Sequence, residues 1–180
     1  MTKANAELYQ IFAKKVAEGA TFSQLQQDFT VKSLRKIFAY AAAKTPQLFV
    51  DLFGDPPTQS NILLDENLSF DLIPYIFQNI GPITTVQHQY GKGIQDTQLF
   101  DRAARDGIQA IVTGDHKCRG TKDLCGIAER AYADPKDLRD IAIVGVSQNV
   151  ETAILQLQRN AKEIQSYITQ PSHDTILILD

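Results

Sequence analysis

The sequence predicts an α/β protein whose mainly parallel five-stranded sheet is preceded by a small all-helical module. Three observations carry this. Residues 1–57 show apolar spacing of helical period only; from residue 61 onward, five short apolar runs alternate with segments of helical length; and Gly54-Asp55-Pro56-Pro57-Thr58-Gln59-Ser60 separates the two regimes. Tandem prolines cannot continue a helix, and their neighbours favour turns. Alternating strands and helices imply right-handed crossovers and a sheet covered on both faces, a three-layer arrangement. The chain is accordingly divided into a helical module, 1–57, and an α/β domain, 58–180.

In the module, Leu8, Ile11, Phe12 and Val16 recur at helical spacing and Gly19 fits just beyond a C-terminus. Thr21 is an acceptable N-cap for a short helix carrying Phe22 and Leu25. A third helix after Thr30 sets Val31, Leu34, Ile37, Phe38 and Ala41 on one face and Lys32, Arg35 and Lys36 elsewhere, with Thr45-Pro46 as its end or break. Strands are expected at Ile62–Leu64, Ile83–Val86, Ile108–Thr113, Ile141–Val146 and Thr175–Leu179, because these runs are apolar or β-branched and end abruptly at polar or glycine residues. Helices are expected at about 69–79, 95–106, 121–133 and 149–168, the last with Val150, Ile154, Leu157, Ala161, Ile164 and Ile168 on one stripe.

Composition narrows the function classes. With 180 residues, 43% hydrophobic and 22% charged, the chain can bury a real core, which excludes disordered and low-complexity architectures. No apolar run approaches the roughly 18 residues of a membrane span, and the polar opening Met1-Thr2-Lys3-Ala4-Asn5 does not read as a signal peptide, so a cytoplasmic protein is expected. Cys118 and Cys125 have neither redox nor zinc spacing and read as reduced thiols. Residues 1–57 carry seven Lys/Arg against five Asp/Glu, and residues 58–180 carry eleven against sixteen. The module is mildly basic and the α/β domain acidic.

In an open parallel sheet, ligands bind beyond the carboxyl ends of the strands. Asp65, with Glu66 and Asn67 next, follows the first apolar run, and Asp115 follows the third. If those strands are neighbours, the two carboxylates converge on one crevice. Asp96 opens a helix after the glycine-bearing turn Tyr90-Gly91-Lys92-Gly93 and can reach the same edge. Oxygen ligands without His or Cys suit Mg²⁺ or Mn²⁺ better than zinc. The same residue types also serve as helix caps and turn formers, a reading to which Asp96 is the most open. Asp65 and Asp115 each end an apolar strand, where a charge is costly unless paired.

Three segments carry a resemblance: Asn61-Ile-Leu-Leu-Asp-Glu-Asn-Leu-Ser-Phe70, Gly91-Lys-Gly-Ile-Gln-Asp96-Thr-Gln-Leu-Phe100, and Ala103-Ala-Arg-Asp-Gly-Ile-Gln-Ala-Ile-Val-Thr-Gly-Asp115. In this order they resemble the PIN-like toxin family related to VapC ribonucleases, whose pattern is an "LLDENL" first strand, an Asp opening a later helix, and a "vTxD" third strand. The resemblance covers residues 61–118. It implies a PIN-like domain acting as a metal-dependent endoribonuclease, a hydrolase of toxin-antitoxin type, with Asp65, Asp96 and Asp115 catalytic. Those three, with Glu66, would ligate Mg²⁺ or Mn²⁺, and Lys92, Lys117, Arg119 and Lys122 would hold the RNA backbone. Lys117 and Cys118 stand where family members commonly have Asp and Phe, and Asp123 is read as a solvated helix residue rather than a replacement. His116 is either a proton carrier or a surface hydrogen-bonding residue.

Residues 19–42 are similar to the small helical antitoxin-like domains that partner such toxins. This implies a fused antitoxin or self-inhibiting module of helix-turn-helix character, in which Lys32, Arg35 and Lys36 contact DNA; a helical cap or a dimerisation element is the other reading. A homo-oligomer is expected. The alternative function is a non-catalytic PIN-fold regulatory or interaction protein with a weakened acidic site, for which Lys117 is the main evidence. An aspartate phospho-acceptor fits less well, since Ser147 could supply its hydroxyl but the fifth run ends in Leu179-Asp180 with no Lys.

Overall fold

The computed structural model describes residues 3–115, 123–134, 136–137, 139–169 and 176–179. The strands β1 (Ile62–Leu64), β2 (Ile83–Thr85), β3 (Ala110–Thr113), β4 (Ala142–Gly145) and β5 (Ile176–Ile178) form one sheet in the order β2-β1-β3-β4-β5, and every adjacent pair is parallel. Register aligns Ile62 with Ile83 on one side and with Ala110 on the other. Among the described residues the helices are α1 (Lys3–Ala17), α2 (Phe22–Asp28), α3 (Val31–Lys44), α4 (Gln47–Phe53), α5 (Ile73–Asn79), α6 (Val86–Gln89), α7 (Asp96–Arg105), α8 (Leu124–Ala133), α9 (Val150–Arg159) and α10 (Ala161–Thr169), with a 3₁₀ turn at Phe70–Leu72. The fold is α/β.

The uninterrupted apolar runs are explained by burial on both sides of the sheet. Ile62, Leu63 and Leu64 are all 0% exposed. Side chains alternate across the pleat, so Ile62, Leu64, Ala110, Val112, Ala142 and Val144 join one cluster with helices α1 to α5, α9 and α10. Leu63, Ile111 and Ile143 join a second cluster with Val86, Leu99, Phe100, Leu124 and Ala128 of α6, α7 and α8.

Helices alone precede residue 54, and they bury their apolar faces in the same cluster as the sheet. At the seam, Phe49 of α4 stacks on Phe77 of α5 with ring centroids 5.3 Å apart, and Phe53 lies 6.5 Å from the same ring. Arg35 of α3 donates through Nε at 2.8 Å and Nη2 at 2.5 Å to Asp71 of the 3₁₀ turn. The connection after Gly54 is anchored too. The Thr58 hydroxyl donates to the Ile80 carbonyl at 2.8 Å, and a Cβ on Gly81 would stand 2.7 Å from both the Ser60 carbonyl and the Thr58 hydroxyl.

Three element expectations need correction. Thr45-Pro46 does end α3, whose C-cap is Thr45, but the helical segment has four helices rather than three, because Pro46, with φ of −58°, also starts α4. Proline lacks only an N–H that a first turn leaves unpaired, and its fixed φ is already helical. The helix expected over 149–168 is two, because Asn160 leaves helical geometry (φ −102°, ψ 12°) and its side chain donates to the Gln156 carbonyl. The run Ile83–Val86 yields strand only to Thr85, whose hydroxyl caps α6 by accepting from the His88 N–H. Expectations on His116, Lys117, Cys118, Arg119, Lys122, Thr175 and Asp180 lie outside the described residues. No described helix is long and apolar enough to cross a membrane.

Because the seam is part of the main apolar cluster, Phe49→Ala should cost about 3–5 kcal/mol, the usual range for emptying a core aromatic site. Denaturant unfolding followed by both circular dichroism and tyrosine fluorescence should show one coincident transition at a lower midpoint. Two separated transitions would instead mark residues 1–57 as a unit folding apart.

Candidate functional site

The order β2-β1-β3 makes the crossovers after β1 and after β2 leave in opposite directions, so the crevice of an open parallel sheet falls beyond the carboxyl ends of β1 and β3. Asp65 and Asp115 lie there. Asp65 is 8% exposed, and its backbone N–H donates to the Val112 carbonyl at 3.0 Å, extending the β1–β3 ladder by one residue. Its carboxylate is held from two directions: Thr113 Oγ1 donates to Oδ2 at 2.7 Å, and the Glu66 N–H donates to Oδ1 at 2.7 Å.

Thr113 is a hub that the sequence did not reveal. Wholly buried, its hydroxyl donates to Asp65 while accepting from the Asp115 N–H at 3.0 Å and from the Asn67 side-chain amide at 3.4 Å. Asn67 closes the circle by accepting the Gly114 N–H at 3.0 Å. Any side chain at Gly114 would collide there, since a Cβ would stand 2.7 Å from Gln148 Cγ and 3.0 Å from Leu68 Cδ2. The only hint in the sequence was a hydroxyl at the end of a buried strand directly before Gly114-Asp115.

Asp96 occupies the first turn of α7 and is half-buried. Its carboxyl is pushed above the ordinary carboxylate range first by burial, then by repulsion from Asp65 and more weakly from Asp115 and Asp123, against a hydrogen bond from the Leu124 backbone. Burial likewise pushes Asp65 up, opposed by the bonds from Thr113 and Glu66 N–H and reinforced by the charges of Glu66 and Asp115. Asp65, Asp96 and Asp115 are thus close enough for their charges to interact. Asp123, expected to be a solvated helix residue, is instead the N-cap of α8, accepting the Gly126 N–H at 2.8 Å, and its charge reaches Asp96. The cap signal was readable from Asp123 standing before the apolar stretch Leu124 to Ala128.

Glu66 is exposed, and its Oε2 accepts the Gly93 N–H at 3.0 Å. That bond ties the loop carrying exposed Lys92 to the acidic edge. Gly91 (φ 91°) and Gly93 (φ 70°) flank Lys92 in left-handed conformations that a side chain would strain. Lys117, Arg119 and Lys122 lie outside the described residues, as does His116. Of the basic residues expected to reach DNA, Arg35 is engaged by Asp71, Lys36 donates to Asn5 at 3.5 Å, and Lys32 is exposed.

The donor set, carboxylates with an amide and a hydroxyl, matches in kind what a hard divalent cation takes, and the mutual repulsion of the acids gives a cation something to relieve. Among the described residues, no three His, Cys, Asp or Glu side chains stand in an arrangement that would ligate one ion as placed. No family model, no curated protein and no solved structure matches the chain.

Two outcomes follow from this network. Thr113→Val keeps shape but leaves the buried Asp65 carboxylate without its hydroxyl donor, which should cost about 1–3 kcal/mol at pH 7 by denaturant unfolding. Asp96→Asn acts oppositely. Because the folded-state pKa of Asp96 is raised, the stability it contributes is full below the ordinary carboxylate pKa and is lost as pH rises through the raised value. The variant should therefore melt higher than the parent at pH 7.5 and no higher near pH 3, read as Tm across a pH series.

Proposed function

We propose that the chain is a PIN-like, VapC-related endoribonuclease of toxin-antitoxin type with a three-layer catalytic domain, hydrolysing RNA phosphodiesters with Mg²⁺ or Mn²⁺. The observation that supports this reading is that Asp65 and Asp115 follow the carboxyl ends of adjacent β1 and β3, with the charge of Asp115 acting on Asp65 and the charges of both acting on Asp96. Asp65, Asp96 and Asp115 would hold the cation, with Glu66 beside them. Bound there, the cation supplies Lewis-acid polarisation of the phosphate and a water of lowered pKa.

The protein's own part is positional. Thr113 and the Glu66 N–H fix both oxygens of Asp65, so its rotamer does not have to be selected when substrate arrives. Thr113 also fixes the backbone of Asp115, leaving that exposed carboxylate to face solvent and substrate. Glu66 spends one oxygen on Gly93 and thereby holds Lys92 where a phosphate could be met. In the reaction, water adds to phosphorus, the bond from phosphorus to the leaving ribose oxygen breaks, and a proton ends on that oxygen.

Cleavage of defined RNAs by the full chain, with and without Mg²⁺ or Mn²⁺, tests the reading. Asp115→Asn keeps size and turn-forming capacity and removes only the charge, so the cleavage rate should fall by roughly 100-fold or more while the melting curve is retained. Cleavage at the parental rate would show the site misplaced. Absence of cleavage in the parent, together with absence of any divalent-metal shift in Tm, would select the non-catalytic regulatory or interaction protein.

A further inference from the structure

A cavity of about 370 Å³ lies where α1 and α3 meet the 3₁₀ turn and α6. Its volume is within the range of about 300–1,000 Å³ typical of small-molecule sites. The lining combines rings with cations. Lys36, Tyr40 and Lys44 stand four residues apart on α3, so they form one stripe along the helix, and Tyr9, Phe70 and His88 face it from the other elements. Tyr9 and Tyr40 meet edge to face at 4.9 Å, and the rings of Phe70 and His88 lie 6.3 Å apart. Among the described residues no carboxylate lines the cavity and neither lysine is in an ion pair, in a chain whose net charge is −3. Burial, and after it the charge of Lys44, push the His88 imidazole below its usual pKa.

Rings in the lining, with a lysine at each end of the stripe, suit one ligand chemistry: an aromatic base joined to a phosphate. We propose that this cavity binds a nucleoside monophosphate unit, with the base against Tyr40, Phe70 and His88 and the phosphate on Lys36 or Lys44. Phe70 follows Asp65 by five residues and His88 follows the end of β2, so two of the cavity's rings stand in the segments that leave the carboxyl ends of adjacent β1 and β2. A nucleotide flanking the scissile bond of an RNA strand is therefore the natural occupant. That part rests on the ribonuclease reading, whereas the base-plus-phosphate chemistry rests on the cavity itself.

The test is a titration of the full chain in EDTA, where no cleavage is needed, with AMP, adenosine, inorganic phosphate and a pentaadenylate. Saturable AMP binding is expected, tighter than adenosine or phosphate alone by about tenfold or more, with shifts of the Tyr9, Tyr40, Phe70 and His88 ring resonances. Lys36→Ala/Lys44→Ala, two exposed positions, should weaken AMP binding at least about tenfold and flatten its salt dependence. Phe70→Leu should weaken AMP and adenosine alike. Pentaadenylate binding well above AMP marks a strand subsite; equal binding marks a site for the free nucleotide; either supports the proposal. Absence of saturable binding by both AMP and pentaadenylate into the millimolar range, or unchanged AMP binding in the double lysine variant, overturns it. Because the titration excludes metal, its failure leaves the cleavage result standing, and a failed cleavage assay leaves this result standing.

Discussion

The hydrogen bond from the Thr113 hydroxyl to the Asp65 carboxylate is the interaction on which the acidic edge depends. A carboxylate that is 8% exposed would be expensive to keep charged without donors, and here one donor comes from the neighbouring strand and another from the next residue of its own chain. That arrangement requires β1 and β3 to be adjacent, parallel and in the register that aligns Leu64 with Val112, because only then do the two strand ends present Asp65 and Thr113 to each other. Register is in turn fixed by the strands' wholly apolar faces, since slipping one residue would exchange the clusters that Leu63 and Leu64 enter. The apolar core and the polar edge therefore specify the same pairing.

The carboxylates around Asp96 work against the fold. Like charges near a protein surface repel, and a helix N-terminus offsets only about 0.3–1 kcal/mol of that. The N-termini of α7 and α8, which carry Asp96 and Asp123, thus soften the repulsion without removing it. The carboxyls of Asp65 and Asp96 are pushed above the ordinary carboxylate range first by burial and only then by neighbouring charges. Acids placed at such a cost, beside a hydroxyl and an amide that orient them, are the arrangement from which the proposed cation site is argued.

Much of this was legible in the sequence, and the exceptions have physical causes. Apolar runs ending in Asp or Gly-Asp read directly as strands with polar carboxyl ends, because a strand buried on both faces leaves no alternation to confuse it. Asp65 and Asp115 were found for that reason. Thr113 was not, because a threonine at a strand end has the same local signature whether its hydroxyl meets a carboxylate or nothing; its role exists only once the parallel neighbour is in place. Asn67 was passed over for the same reason. The α4 helix was hidden by reading Pro46 as a terminator, although the residue after a helix end and the residue before the next start can be the same proline. The break at Asn160 was hidden because the apolar stripe of α9 continues into α10, so the stripe records the shared core and not the backbone's interruption.

The helical segment bears on the site through the seam rather than through a linker. Arg35 spends its guanidinium on Asp71, which also accepts from the Ser69 hydroxyl, and this fixes α3 against the turn that follows the β1 loop. Once Arg35 is held, the helical repeat dictates where the rest of α3 points: Lys36, Tyr40 and Lys44 lie along the cavity while Leu34, Ile37, Phe38 and Ala41 are buried in the core. The same helix that supplies core packing therefore sets a cationic, ring-bearing stripe against the segments that follow the carboxyl ends of β1 and β2. On the reading proposed above, a positive stripe and an acidic crevice would orient a polyanion, its phosphates drawn to the lysines. An all-helical segment with a mildly basic balance, joined to an acidic α/β domain, acquires its meaning from this juxtaposition, which neither half of the sequence encodes alone.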